Sequence, residues 1–291
     1  MKLTIKFNII FLVIFGIGLL ATGLIAQRFL QQNARNQVLQ DARLLMDTSS
    51  STRTYTAQQI RPILEKWQRE SDVFYPQSVP AFSAIKIFSY LHQQYPEYSY
   101  KEPTLNPTNP EDRAVEWETD VINIFRNDTA RKDYIGERDT PTGRSLYIAK
   151  PLSAAGSCLT CHSTPEAAPA AMVRIYGRNN GFGWKQDEII GAQIVSVPMS
   201  VPTKVANTAL WNLMLWLALT SLVSMVLLNF ALVAAVVRPV RRLSAAADEI
   251  SKGNLDVPEM PVTGKDEVST LAGSFNRMHR SLVKAIKMLE E

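Results

Sequence analysis

Two long runs without a charged residue constrain this chain more than any other feature. In hydrocarbon every backbone N–H and C=O must be bonded within the protein, so an isolated apolar run that enters a membrane has to be helical. Residues 8–26 (NIIFLVIFGIGLLATGLIA) follow Lys2 and Lys6 and precede Gln27 and Arg28. At about 1.5 Å per residue such a helix matches a hydrocarbon layer of about 30 Å. A secretory signal has a shorter apolar core and a small-x-small cleavage site. Here the run ends Leu24-Ile25-Ala26, so an uncleaved anchor is expected. Residues 209–237 form the second run, with Trp211 and Trp216 near its start and Arg238, Arg241 and Arg242 after it. Basic residues stay on the cytoplasmic side, which puts both ends of the chain inside and the middle outside. The expected order is a cytoplasmic N-terminus (1–7), a span (8–27), an extracytoplasmic domain (28–207), a second span (208–237) and a cytoplasmic module (238–291). The chain is thus expected to be a two-pass protein of the cytoplasmic (inner) membrane. Its middle domain would face the periplasm or another extracytoplasmic space.

The net charge of +4 carries no nucleic-acid signal. Several basic residues flank the apolar runs, where they orient the helices and meet the head groups of the lipid bilayer.

The 2 cysteines stand in Cys158-Leu159-Thr160-Cys161-His162. A disulfide across so short a loop would remove little entropy from the unfolded chain and leave the histidine unexplained. A thioredoxin-type dithiol needs a βαβ setting, which the flanks Ser153-Ala154-Ala155-Gly156-Ser157 and Ser163-Thr164-Pro165 do not suggest. Zinc would need ligands from elsewhere, and His92 is the only other histidine between the two runs. Cys-x-x-Cys-His is the attachment signature of a c-type haem: two thiols add to two vinyl groups and the adjacent imidazole reaches the iron. One covalent haem c is therefore expected, held by Cys158 and Cys161, with His162 as axial ligand.

With both thiols consumed, no thiolate of this chain is left for the other face of the iron. His92 would give bis-histidine iron, and Met46 would raise the potential. Each also has an ordinary role, a surface histidine beside tyrosines and a core methionine on a helix. An empty or water-bound position is the third possibility.

Residues 28–66 have helical spacing through Phe29, Val38, Leu44, Leu45, Ile60, Ile63 and Leu64, with Pro62 placed to kink the helix. Residues 67–135 mix short helices with proline-marked loops, among them Leu105-Asn106-Pro107-Thr108-Asn109-Pro110, and residues 114–125 resume helical spacing. Residues 145–152, 171–176 and 190–199 have strand composition, which puts the cysteine motif between the first two strands. Helices followed by antiparallel strands predict an α+β domain with the motif loop against the sheet. The glycine-rich turn 177–184 (GRNNGFGW) suits a hairpin connection better than a wall of the cofactor site. Tyr147, Arg174, Tyr176 and Trp184 are candidates for packing on the haem or pairing with its propionates, by nearness in sequence.

After the second run, Arg238-Pro239 opens a helix at the position where proline is tolerated. Val240, Leu243, Ala247 and Ile250 recur at steps of three and four. A linker with Pro258 and Pro261 follows, and Leu271, Phe275, Met278, Leu282, Ala285 and Leu289 resume the spacing. Two such helices leave both seams open in one chain and close them as a parallel four-helix coiled coil in two, so a homodimer is expected. The Arg-Pro start, Gly253-Asn254-Leu255, Asp266-Glu267-Val268 and Phe275-Asn276-Arg277-Met278 resemble a HAMP signalling domain. The middle domain resembles a family of single-c-haem sensor domains. The resemblance rests on the 105–110 motif, Trp117-Glu118, Thr142-Gly143-Arg144-Ser145-Leu146-Tyr147, the 158–162 motif and Gly181-Phe182-Gly183-Trp184. It implies a PAS-like fold and a haem sensor. Some relatives use a third cysteine as iron ligand, which this chain lacks.

The expected function is a membrane-bound haem sensor of redox state or a small diatomic gas, relaying through the HAMP module to a cytoplasmic partner. A membrane-anchored mono-haem cytochrome carrying electrons is the alternative. No catalytic constellation accompanies the motif, so no enzyme is expected. The chain stops near the end of the second HAMP helix, at Glu290-Glu291, leaving two expectations open. Either a separate kinase or cyclase is the output, or the product is truncated.

Overall fold

The computed structural model describes residues 3–141 and 143–290. Met1, Lys2 of the orientation signal, Thr142 of the Thr142-Gly143 motif and Glu291 lie outside the described residues, as does the side chain of Leu289. The chain divides into two compact units, Gln27–Thr208 and Met1–Ala26 with Ala209–Glu291.

The first unit is built on an antiparallel sheet. Strands β1 (Ser99–Lys101), β2 (Tyr134–Thr140), β3 (Gly143–Ser153) and β4 (Ile189–Pro198) lie in the order β1-β4-β3-β2. Successive residues of a strand face opposite sides, so the register Leu146↔Val197, Tyr147↔Ser196, Ile148↔Val195, Ala149↔Ile194 sorts side chains into two cores. On one face Leu146, Ile148, Val195 and Val197 pack with Val38, Ala42 and Met46 of α1 (Leu3–Tyr55) and, after α2 (Arg61–Ser71), Ala84 and Phe88 of α3 (Pro80–Gln94). On the other, Tyr147, Ala149, Ala192 and Ile194 pack with Val121, Ile122 and Phe125 of α4 (Glu116–Asn127). β4 is covered on both faces and buried along its whole length, which is why its sequence is nearly continuously apolar.

Two expectations need correction and one is refined. The buried stripe of α1 is Val38, Ala42, Met46 and Ser49, while Phe29, Leu44 and Ile63 are exposed. Of the expected positions Val38 is buried and Leu45 packs against the same core, while a pattern counted on large side chains misses the small members Ala42 and Ser49. Pro62 has no N–H to give the carbonyl four residues back and crowds it. The helix answers with one widened π turn, Thr56–Ile60, in which the Arg61 N–H reaches back to the Thr56 carbonyl, and α2 follows. Finally, residues 171–176 are not a strand: they belong to α6 (Ala170–Tyr176), which follows the short α5 (Leu159–His162). Ala170-Ala171-Met172 are strong helix formers that outweigh the β-branched residues behind them, and Gly177 ends the turn at φ 81°.

The second unit holds the two apolar stretches, which lie in helices long and apolar enough to cross a membrane. They belong to α1 and α7 (Ser200–Leu232), where the Asn229 amide donates to the Asn8 side-chain oxygen at 2.9 Å. After a π turn at Val233–Val237 come α8 (Arg238–Ser251), an extended linker and α9 (Glu267–Glu290). Leu243, Ala246 and Ile250 of α8 and Ala272 of α9 are buried within one chain. Asn276 is buried and reads the linker backbone twice, accepting from the Met260 N–H at 2.9 Å and donating to its carbonyl at 2.8 Å.

A Cβ on Gly191 would lie 2.3 Å from the Pro103 carbonyl oxygen, which accepts the Ala192 N–H at 3.0 Å. That backbone cannot yield without breaking the bond. Gly191→Ala is expected to lower the unfolding free energy by about 1–3 kcal/mol, seen as a fall in the urea midpoint. An unchanged midpoint contradicts the packing. Asn276→Ala is expected to speed amide exchange at Met260, and unaltered exchange would show that the linker is held by something else.

Candidate cofactor site

The connection between β3 and β4 leaves the end of the sheet and returns to it. It is stapled at its base by Ala154 N–H to the Glu188 carbonyl and Asp187 N–H to the Ala154 carbonyl, both 2.9 Å. Beyond the staple, the helical turn Gly156–Cys158 runs straight into α5. On a helix, positions three and four apart share a face, so Cys158, Cys161 and His162 project to one side. Both thiols are free and half-buried. The motif therefore stands in the connection between two strands, as expected, although the second strand is Ile189–Pro198 and not 171–176.

His162 is fixed on three sides. Its Nδ1 lies 2.7 Å from the Gly181 carbonyl oxygen and 3.3 Å from Thr108 Oγ1. A carbonyl only accepts, so Nδ1 carries the proton and Nε2 keeps its lone pair. Trp184 stacks on the ring, 4.0 Å between centroids and 14° between planes. Burial pushes the imidazole pKa below its ordinary value, partly offset by the bond to Gly181. The ring is thus neutral at pH 7 with one nitrogen committed, which is how a metal-ligating histidine is commonly oriented.

The turn that does this is the glycine-rich stretch expected to be a hairpin connection. It wraps back on the motif instead, with Gly183 N–H to the Ser163 carbonyl at 2.9 Å and Trp184 N–H to the His162 carbonyl at 3.2 Å. Gly181 sits at φ 81°, and a Cβ there would fall 2.0 Å from Thr108 Oγ1. Only glycine lets the two loops close. Asn106 locks them, accepting from the Gly181 N–H at 3.2 Å and donating to the Phe182 carbonyl at 3.3 Å.

Of the sequence candidates, the structure brings Trp184 to His162. Arg174 donates to the carboxylate of Asp72 at 2.9 Å and to its carbonyl at 3.0 Å, and Tyr176 packs edge-on against Phe74, so both tie α6 to the end of α2. Tyr147 lies in the α4-side core against Trp117 and Tyr134. Met46 is fully buried in the α1-side core. His92 is exposed on α3, its Nδ1 2.9 Å from the Tyr98 carbonyl oxygen. None of these five contacts His162 among the described residues. Asn106, Thr108 and Gly181 were legible as members of motifs but not as a cage.

Among the described residues, no cluster of three or more His, Cys, Asp or Glu side chains is placed to hold a bare metal ion. Two free thiols and an imidazole with a free Nε2 on one helical turn are the donor set for a tetrapyrrole iron anchored through thioethers. The Tll0287-like family model matches residues 31–198. The chain belongs to the Tll0287-like family. A HAMP domain model matches residues 231–284. A search of curated proteins finds no match. Among solved structures, the crystal structure of the cyanobacterial heme-protein Tll0287 is similar with a TM-score of 0.43 and 14% identity, over 55% of this chain and 94% of that one.

The 104–113 loop that braces the site is closed by Thr104 N–H to the Asp112 carbonyl at 2.9 Å. Burial, then the charge of Glu102, raises the Asp112 carboxyl from 3.8 to about 6. The folded state thus holds this proton more tightly than the unfolded chain does. Asp112 favours folding at low pH, and the contribution is lost as pH rises from 3.8 through about 6. Asp112→Asn is expected to be more stable than the parent at pH 7.5, with the gap closing below pH 4, in urea unfolding at both pH values. A gap that widens on acidification contradicts this assignment.

Proposed function

We propose that this protein is a membrane-bound haem sensor. One haem c is attached through Cys158 and Cys161 and ligated by His162, and a change in redox state or a bound diatomic ligand is relayed through the HAMP domain. The observation that carries the reading is the His162 imidazole, with Nδ1 committed to Gly181 and Nε2 free, on the same helical turn as two free thiols. Bound there, the haem supplies a one-electron couple and an axial position for a small ligand.

The chain's own groups do the rest. Cys158 and Cys161 anchor the ring, Gly181 fixes the imidazole proton, and Trp184 fixes the imidazole plane. The four-stranded antiparallel sheet flanked by helices supports a PAS-like assignment for residues 28–207. The apolar runs and the basic residues beside them support a two-pass inner-membrane protein with that domain outside. In one chain Leu271, Met278 and Leu282 of α9 stay exposed, which supports a homodimer closing that seam as a parallel coiled coil. The HAMP match supports passing the signal to a cytoplasmic output of the kinase or cyclase class. The HAMP match favours sensing over electron carriage, because a carrier needs an anchor and no relay.

The test is full-length protein produced with c-type haem maturation. Haem is expected to stay with the denatured chain, and to be lost in Cys158→Ser with Cys161→Ser. Amide exchange in α8, the linker and α9 is expected to differ between ferric, ferrous and carbon monoxide-bound protein. Haem extracted by acid acetone from the parent refutes covalent attachment, and identical exchange in every state refutes the relay.

A further inference from the structure

We propose that the buried ion pair Arg53–Glu102 links the cofactor's charge to the seating of α1, so that each governs the other. The proposal rests on the haem reading above. Arg53 is on α1 and Glu102 directly follows β1. The guanidinium donates to one carboxylate oxygen of Glu102, and the Tyr100 hydroxyl donates to the other at 2.6 Å. The side chains are 23% and 2% exposed. The carboxylate is held on the sheet side, since Pro103 beside it accepts from Ala192 of β4.

The same helical face meets the attachment turn. Eight positions after Arg53, across the π turn, Arg61 donates to the Ser157 carbonyl at 3.3 Å. The Arg53 guanidinium is buried, which alone would lower its pKa. Glu102 foremost, then Tyr100, outweighs this, and Cys158 is near enough to contribute as well. Asp112 feels the charge of Glu102 and in turn that of Lys101, which is paired with Glu118 at 2.8 Å.

Charges buried in this way are screened little by salt. Ferric haem carries one positive charge more than ferrous haem. The step between them is one electron, supplied by dithionite or withdrawn by ferricyanide, and it forms and breaks no bond. Oxidation therefore repels Arg53 and attracts Glu102, altering the balance that holds α1 to the sheet. Coupling of this kind is reciprocal, so changing the pair must move the haem's redox equilibrium.

The experiment is a spectroscopic redox titration of haem-loaded, full-length protein in detergent. Arg53→Gln leaves Glu102 uncompensated and is expected to shift the balance toward ferric haem. The shift at fixed ambient potential should be about tenfold, on the order of the effect of one unit charge acting through an effective dielectric of about 20. Glu102→Gln is expected to shift it as far toward ferrous haem. The double variant should return near the parent, and Arg53→Lys should stay there. A site merely loosened by mutation would shift every variant in one direction. Shifts of one sign, or none, overturn the proposal while leaving the sensor reading intact. A parent chain that takes up no haem overturns both. In the parent, amide exchange across residues 49–56 is expected to differ between ferric and ferrous protein, and the difference should vanish in the double variant. A difference that persists there also overturns the link.

Discussion

The β3–β4 ladder carries two tasks on one set of hydrogen bonds. Its register decides which side chains face α1 and α3 and which face α4, and a one-residue slip would exchange the two cores. Its open end carries the 156–162 turn, because Ser153 pairs with Ile189 and the next residues form the staple at Ala154. The staple sets where the excursion starts, and the Asn106–Gly181 bonds set where it folds back. Neither the cysteines nor His162 lies in regular sheet, yet their positions are inherited from it. The same end of β4 is crossed by the 104–113 loop, close enough at Gly191 to exclude even a methyl group. Core packing and site geometry therefore meet at one strand terminus.

What was legible in the sequence follows from how local each signal is. The apolar runs and the 158–162 motif are read without a partner, since charge and adjacency are properties of the chain alone. The cage around His162 is different in kind. Thr108 and Gly181 are far apart in sequence, and only the structure shows that a Cβ on the glycine would strike the threonine. Residues 171–176 misled because alternating apolar residues in so short a segment suit either a strand or one side of a helix. Tyr147 and Arg174 were chosen for nearness in sequence to the motif. Tyr147 points into the α4-side core because of its parity on β3, and Arg174 is captured by the carboxylate that ends α2. The strand β2 went unseen because an edge strand with one neighbour tolerates the charges of Glu137, Arg138 and Asp139.

The helical cover on the sheet also includes an oddity of α1. Its inward positions are Ala42, Met46 and Ser49 rather than a row of leucines, and the Ser49 hydroxyl returns its proton to the Leu45 carbonyl at 3.1 Å. The row ends at Arg53, whose guanidinium donates to the Glu102 carboxylate just after β1.

Energetics bears on why attachment is covalent on the proposed reading. The excursion between β3 and β4 contributes Ala154, Ala168, Ala171 and Met172 to the buried apolar set, while both cysteines are only half-buried. At about 25 cal/mol per Å² of apolar surface, four mostly small side chains cannot offset the entropy of ordering a segment of that length. The segment is held by its staple, by the Asn106 and His162 bonds and by the stack on Trp184. Each of these is worth roughly 1 kcal/mol. A tetrapyrrole placed on so shallow a platform would not be retained by burial. Thioethers at Cys158 and Cys161 remove that requirement and leave the platform's weak contacts free to respond to the cofactor's charge, which is what a sensing element needs and a tightly packed pocket would resist.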